Sequence, residues 1–309
     1  MPKHNKKKWM RYVGFGVLIL LIALLVSQIP VFIAGMRGGA TATAAADSPT
    51  AIAHRGLSSA APENTLPAYK HALEVGVTAV ETDVFKTKDG VIVLSHDETI
   101  DRCSDGTGLI RDMTLEELRQ YDYGAWFGEA FAGTQIPTLE EFLDAVKDAE
   151  LILLEFKENE NDIVPQTVDM VRERGMMGQV LFQSFDMQAM QDCKDYAPEA
   201  ATAFLYHAGS GDDKAARKDP AGFCEEYRLD ALHPNYAGVN AKFARQCKEA
   251  DIPLRVWTVN KPIYMTGLSA LGVDGIISDV PYKVAGAAQA SAFMRGLGSV
   301  ATNLYGLFK

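Results

Sequence analysis

Cysteine is scarce in this 309-residue sequence. There are four, at positions 103, 193, 224 and 247, with no C-x-x-C pair and no Cys/His spacing suited to zinc. That excludes a zinc-finger-like module. Outside the cytoplasm the four thiols can join in any of three ways, and four ordinary unpaired cysteines are an equally good reading. Basic charge is in short supply as well. The net charge of −10 argues against a nucleic-acid partner, whose phosphates call for a basic surface. No internal repeat is visible, and neither Ser nor Cys stands in a recognisable nucleophile setting. What the chain does have is 48% hydrophobic and 23% charged residues, a globular balance in the size range of one large domain or two small ones.

Acidic residues are missing altogether from residues 1–37, where Lys3, Lys6, Lys7, Lys8, Arg11 and Arg37 stand unopposed. Removing those six from the 30 basic residues leaves 24 against 40 acids, so the remainder carries a net −16. From Tyr12 to Met36 runs an apolar stretch of 25 residues, interrupted by Ser27, Gln28 and Pro30. A bilayer needs about 20 apolar residues in a helix. Five positive charges precede the stretch and only Arg37 follows it. The expectation is a short cytoplasmic tail over 1–11, a single transmembrane anchor over 12–36 and an extracytoplasmic remainder. A signal peptide cleaved near Ala44-Ala45-Ala46 is the alternative, with a long apolar region and a distant cleavage site against it. Residues 37–49, rich in Gly, Ala, Thr and Ser, read as a linker.

From Thr50 onward strands alternate with helices. Apolar, β-branched runs at Ala51–His54, Ala79–Phe85, Leu151–Phe156, Val180–Phe185, Ala201–Tyr206, Ala231–His233, Leu254–Val259 and Gly275–Ser278 predict eight strands. Helices are predicted at Asn64–Val75, Leu139–Ala149, Ile163–Arg174, Met187–Tyr196, Ala241–Ala250 and Pro262–Leu271. This is the pattern of an α/β chain folded as a (β/α)₈ TIM barrel over residues 50–283; a doubly wound open sheet usually has fewer strands. Between the second and third strands, about 90–137, lies an insertion with one extra strand-like run, Val91–Ser95, a loop and a short helix. Insertions after barrel strands sit on the catalytic face. In the tail, 284–309, Phe293, Leu297, Val300 and Leu304 keep helical spacing. They suit packing on the barrel or, less simply, lying on a membrane surface.

The polar residues at strand ends carry the chemistry. In Glu81-Thr82-Asp83 both carboxylates face the same way, because side chains two apart share a face of a strand. Glu155, ending the neighbouring strand, lies beside them. Three converging carboxylates repel unless a cation or proton joins them. Together they make a hard oxygen site for Ca²⁺ or Mg²⁺. The first strand ends in His54-Arg55-Gly56 and the extra run ends at His96. Two histidines, the phosphate-matching Arg55, Lys157 and a divalent cation suit phosphodiester cleavage, one His as base and the other as acid. Glu63 is placed either to brace Arg55 or as a first-turn acid, and Asn64 or Thr65 to cap the following helix. Weaker candidates are Gln183, Ser184, His207 and His233; His71 falls inside a helix.

These residues resemble the signature of the glycerophosphodiester phosphodiesterases. The likeness rests on His54-Arg55-Gly56 followed by Pro62-Glu63-Asn64-Thr65, and on Glu81-Thr82-Asp83, Ser95-His96-Asp97 and Pro137-Thr138-Leu139-Glu140-Glu141. It continues through Leu154-Glu155-Phe156-Lys157, Val256-Trp257-Thr258-Val259-Asn260 and Asp274-Gly275-Ile276-Ile277-Ser278-Asp279. The resemblance implies one divalent cation, Ca²⁺ or Mg²⁺, on Glu81, Asp83 and Glu155, with His54 and His96 as the acid–base pair. It implies Arg55 and Lys157 on the phosphate and Trp257 lining the pocket. It also implies hydrolysis to sn-glycerol 3-phosphate and an alcohol, the glycerol 2-hydroxyl attacking phosphorus first and water then opening a cyclic phosphate.

Two other readings stay open at this point. A lysophospholipase D would share the chemistry and take lysolipids from the adjacent membrane, and a broad apolar mouth around Trp257, Phe127 and Phe131 would favour it. A non-enzymatic cation- or phosphate-binding protein would have no need of a histidine pair. The oligomeric state is not legible.

Overall fold

The computed structural model describes residues 48–292. The predicted tail and anchor over 1–36, nearly all of the linker and the spaced apolar residues from Phe293 onward lie outside them. Among the described residues no helix is long and apolar enough to cross a membrane.

In chain order the elements are β1 (Thr50–Ala53), α1 (Leu66–Glu74), β2 (Ala79–Lys86), β3 (Ile92–Leu94), α2 (Leu115–Leu118), α3 (Leu139–Ala145), β4 (Leu151–Phe156), α4 (Ile163–Glu173) and β5 (Val180–Ser184). They continue as α5 (Met187–Tyr196), β6 (Ala201–Tyr206), α6 (Gly211–Lys218), α7 (Pro220–Tyr227), β7 (Ala231–Pro234), α8 (Ala241–Glu249), β8 (Arg255–Val256), α9 (Pro262–Leu271) and β9 (Gly275–Ser278). Residues 282–292 are helical. Apart from β3, the strands form one parallel sheet in the order β7-β6-β5-β4-β2-β1-β9-β8. Parallel bridges Leu232↔Leu254 and Asn235↔Trp257 join its two edges, so the eight strands close into the expected barrel.

The seventh barrel strand is shorter than predicted. Only Arg255–Val256 is regular, while Leu254 and Trp257 make those single bridges. Helices α6 and α7 were not anticipated. α6 is a polar helix that buries only Asp213 and Ala216, so it shows no apolar periodicity. Ser210 and Asp219 cap the two helices through their side chains. The threonines ahead of the Leu-Glu-Glu runs at 114 and 138 build full capping boxes with Glu117 and Glu141.

Two layers fill the barrel and set the site. Ile52, Ala79, Leu153, Leu181, Ala203, Ala231 and Ile277 pack together as an apolar floor inside the ring. Two residues further along the same strands come His54, Glu81, Glu155, Gln183, Leu205, His233 and Asp279. The twofold period of a strand therefore places a layer that is polar except for Leu205 directly above the floor, at the C-terminal rim. Outside the ring, helices and strands share one large core that includes Tyr69, Phe142, Phe156, Phe182 and Phe243. The insertion has its own small core, Phe85, Val93, Ile100, Ile110, Leu118, Tyr123 and Ile136. It is fastened by β3, which runs antiparallel to the end of β2 with Val84 opposite Leu94.

Candidate active site

Glu81 and Asp83 leave β2 on its inner face, and Asp83 is the register partner of Glu155 on β4. One carboxylate oxygen of each residue lies within 4.8 Å of those of the other two, and all three side chains are buried. Burial, then the neighbouring charges of Asp83 and Glu155, push the Glu81 carboxyl well above its ordinary range. Burial and Asp83 raise Glu155 to about 8. Burial acts the same way on Asp83, but Lys157 and Arg55 outweigh it and hold that carboxyl low. Asp83 Oδ1 makes no hydrogen bond, with Lys157 Nζ 3.5 Å away. Crowded, dehydrated oxygens with an unsatisfied lone pair fit a hard divalent cation, which relieves both the repulsion and the desolvation.

Cationic side chains border this cluster. Lys157 Nζ lies 2.7 Å from Glu155 Oε1. Arg55 Nη1 donates to Glu63 Oε1 at 2.7 Å, its Nε lies 3.4 Å from Asp83 Oδ2, and its backbone N–H reaches Glu81 Oε2 at 3.0 Å. The geometry supports the bracing role for Glu63. The alternative of a first-turn acid fails, because α1 starts at Leu66 and its first turn holds no acid. Arg55 takes this position with a left-handed backbone, φ 57°. Gly56 follows at φ 80°, and a Cβ there would stand 2.7 Å from Ala68.

Helix α1 begins later than predicted, for a related reason. Asn64 is left-handed, φ 54°, and its Nδ2 donates to Asp83 Oδ2 at 2.8 Å. Thr65 occupies the cap position, but its hydroxyl donates to Pro62 O, so neither residue caps the helix through its side chain. The Tyr69 hydroxyl, 2.9 Å from Asn64 Oδ1, steadies that amide from within the helix.

Both histidines reach the same rim and are held alike. His54 Nδ1 lies 2.6 Å from Asp279 Oδ1, and His96 Nδ1 lies 2.6 Å from Asp97 Oδ1. An Nδ1–H donated to a carboxylate leaves Nε2 for the cavity. Asp279 is itself held by Asn260 Nδ2 at 2.5 Å and Ser58 Oγ at 3.2 Å. Ser95 N–H donates to Asp83 O at 3.1 Å, which fixes the backbone just ahead of His96. Burial and the charges of Arg55 and Lys157 lower the His96 pKa, against the pull of Asp83.

His54, Arg55, Glu81, His96, Glu155 and Trp257 line one cavity of about 310 Å³. Its other wall is aromatic. Phe185, His207 and Trp257 touch one another, with ring centroids 5.0–5.4 Å apart. Phe127 and Phe131 do not line it; they pack on each other within the insertion, and Phe131 also meets His71. The apolar mouth that would join them to Trp257 is therefore not formed.

Of the weaker candidates, Gln183 enters the site, its Nε2 3.4 Å from Glu81 Oε1. His233 stands behind it, fully buried, with Nδ1 2.7 Å from Gln183 Oε1. Ser184 turns away and donates to Phe156 O. All four cysteines are free. The sequence reading assigned no part to Asp97, Asp279, Asn260 or Arg102. Asp97 adjoins His96 in the sequence and stands with it in the Ser95-His96-Asp97 motif. Asp279 meets His54 only through closure of the barrel across 225 positions.

Residues 54–283 match the model of the glycerophosphoryl diester phosphodiesterase family. A glycerophosphodiester phosphodiesterase of Caldanaerobacter subterraneus is 36% identical over 234 residues, covering 74% of this chain and 93% of that one. One from Bacillus subtilis is 30% identical over 248 residues, covering 74% and 83%. Among solved structures, an Oleispira antarctica phosphodiesterase in complex with its product sn-glycerol-3-phosphate superimposes with a TM-score of 0.69 at 30% identity, covering 78% and 96%.

Proposed function

The chain belongs to the glycerophosphoryl diester phosphodiesterase family and is a glycerophosphodiester phosphodiesterase; from that premise we propose a cation-dependent, two-histidine hydrolysis that yields sn-glycerol 3-phosphate and an alcohol. The observation that carries the reading is the joint placement of a buried three-carboxylate cluster and two carboxylate-backed histidines around one cavity.

Glu81, Asp83 and Glu155 would hold one Ca²⁺ or Mg²⁺. Such a cation supplies charge stabilisation to a phosphate oxygen and acidifies a bound hydroxyl. Arg55 and Lys157 contact the phosphate and stabilise the charge that builds on it. One histidine accepts the proton of the glycerol 2-hydroxyl through Nε2 as that oxygen bonds to phosphorus. The other donates its proton to the departing alkoxide, leaving a cyclic phosphate. In the second step the roles reverse: the deprotonated histidine accepts a proton from water, and the protonated one returns its proton to the 2-oxygen. The substrate thus provides the first nucleophile, consistent with the lack of a recognisable Ser or Cys nucleophile. Asp97 and Asp279 act through the imidazoles, fixing tautomer and direction. The aromatic wall of Phe185, His207 and Trp257 faces the substituent beyond the phosphate.

The cavity favours small water-soluble diesters over lysolipids, because Phe127 and Phe131 do not extend it. Glycerophosphocholine and lysophosphatidylcholine assayed side by side, with and without chelator, test this. Faster turnover of the lysolipid would overturn the substrate choice, and chelator-resistant turnover would overturn the cation. The protein is further proposed to be held in the cell membrane by residues 12–36, with the barrel on the extracytoplasmic side.

A further inference from the structure

Arg102 lies in the insertion and engages every nitrogen of its guanidinium. Nε donates to Asp97 Oδ2 at 2.6 Å, Nη1 to Glu63 Oε2 at 2.8 Å and Nη2 to Glu63 Oε1 at 2.8 Å. Each carboxylate has a second task. Asp97 Oδ1 holds His96 Nδ1, and Glu63 Oε1 takes Arg55 Nη1. Arg55 in turn reaches Asp83 and Glu81. A continuous polar path thus runs from His96 through Asp97, Arg102, Glu63 and Arg55 to the carboxylate cluster.

We propose that Arg102 is a positioning residue for the reaction, one that sets the imidazole of His96 in register with the phosphate-contacting Arg55. The inference rests on the roles given above to His96 and Arg55. His96 arrives on the insertion and Arg55 on the loop after β1, so their relative placement needs a tie between two separately packed parts. The two carboxylates repel unless a cation stands between them. A planar fork can take Glu63 with two nitrogens and Asp97 with the third, whereas a lysine offers a single charged point.

With Arg102 removed, Asp97 keeps His96 as its remaining side-chain partner, and that pair is no longer held to Glu63 and Arg55.

The test uses the full-length protein with Mg²⁺ or Ca²⁺ present and four variants: Arg102→Ala, Arg102→Lys, Asp97→Asn and the Arg102→Ala/Asp97→Asn double. Arg102→Ala is expected to lower kcat/KM for glycerophosphocholine about 10–100-fold. Arg102→Lys should recover part of the loss. Millimolar guanidinium should restore Arg102→Ala, whereas sodium chloride should not. The double variant should be no worse than Asp97→Asn, because the two residues act as one unit. By NMR, the His96 ring resonances should broaden or double in Arg102→Ala as the ring loses its single orientation, with metal affinity unchanged. Additive losses, or a lowered melting temperature with kcat/KM and the His96 ring resonances unmoved, would make Arg102 a purely structural tie and overturn the proposal. A wild-type protein inactive on glycerophosphodiesters overturns the functional reading instead, and the His96 ring resonances still decide whether Arg102 positions that ring.

Discussion

Asp83 and Glu155 are direct partners across adjacent parallel strands. Their carboxylates are forced together by sheet register, and no rearrangement of a surface loop relieves the contact. Treatment with a chelator should therefore abolish turnover and lower the melting temperature, and Ca²⁺ or Mg²⁺ should restore both. A cation at 100 times its Kd stabilises the fold by about 2.7 kcal/mol. Asp83→Ala should weaken metal binding as read by calorimetric titration. Full activity after exhaustive chelation would remove the cation from the mechanism.

The histidines have separable tasks. Each single His→Ala change, at 54 or 96, should lower kcat by about 10²–10⁴-fold while metal binding survives. A p-nitrophenyl leaving group departs without protonation. The variant lacking the first-step acid should regain much of its first-step rate on such a substrate, and the variant lacking the base should not. Loss of metal in either variant would show that the ring is a ligand.

Asp279 holds His54 Nδ1. Asp279→Asn keeps the size of the side chain and can present its carbonyl oxygen to the ring, but it replaces a charge-assisted hydrogen bond by a weaker neutral one. It should cost about 10–100-fold in kcat, with KM and metal affinity little changed. An unaltered kcat in this variant would count against an orienting role.

Acid should loosen the tie between insertion and barrel. Burial raises the Glu63 pKa, but the hydrogen bonds and charges of Arg102 and Arg55 outweigh it, and the net shift is downward. A carboxyl held below its unfolded value contributes stability that is present above that value, about 4.3 for a free Glu. The contribution is lost as pH falls through the lower folded value. Urea unfolding followed from pH 6 to pH 3 should show this loss, and Glu63→Gln should flatten the dependence. An equally steep decline in the variant would place the acid sensitivity elsewhere.

For the proposed anchoring, protease added outside intact cells, or to spheroplasts where an outer membrane exists, should digest the barrel. Protection until the inner membrane is lysed would reverse the orientation. A soluble product beginning near Asp47 would identify a cleaved signal.

Much of the fold was legible because a strand repeats every two residues. Glu81 and Asp83 declare a shared face in one line of text, and Glu155 follows from its place at the end of the next barrel strand. Pairings set by closure or by a folded insertion left no such trace. Asp279 meets His54 because β9 lies beside β1, and Arg102 meets Glu63 across 39 positions after the insertion has folded on its own core. Asn64 reads as a helix cap in sequence, yet its left-handed backbone sends the amide to Asp83. The charged run of α6 hides a helix because only two of its residues are buried.

The direction of β1 has a consequence for how the enzyme meets its substrate. Thr50 opens that strand at the floor end of the barrel, whereas His54 and the cavity stand at the opposite rim. On the proposed anchoring, a membrane tether joined ahead of Thr50 would hold the molecule at its floor end, and the opening would face the surrounding medium. Diesters diffusing in that medium meet the opening directly. On the same proposal a lipid lying in that bilayer would be reached only if the barrel turned over, an added step that dissolved diesters would not need.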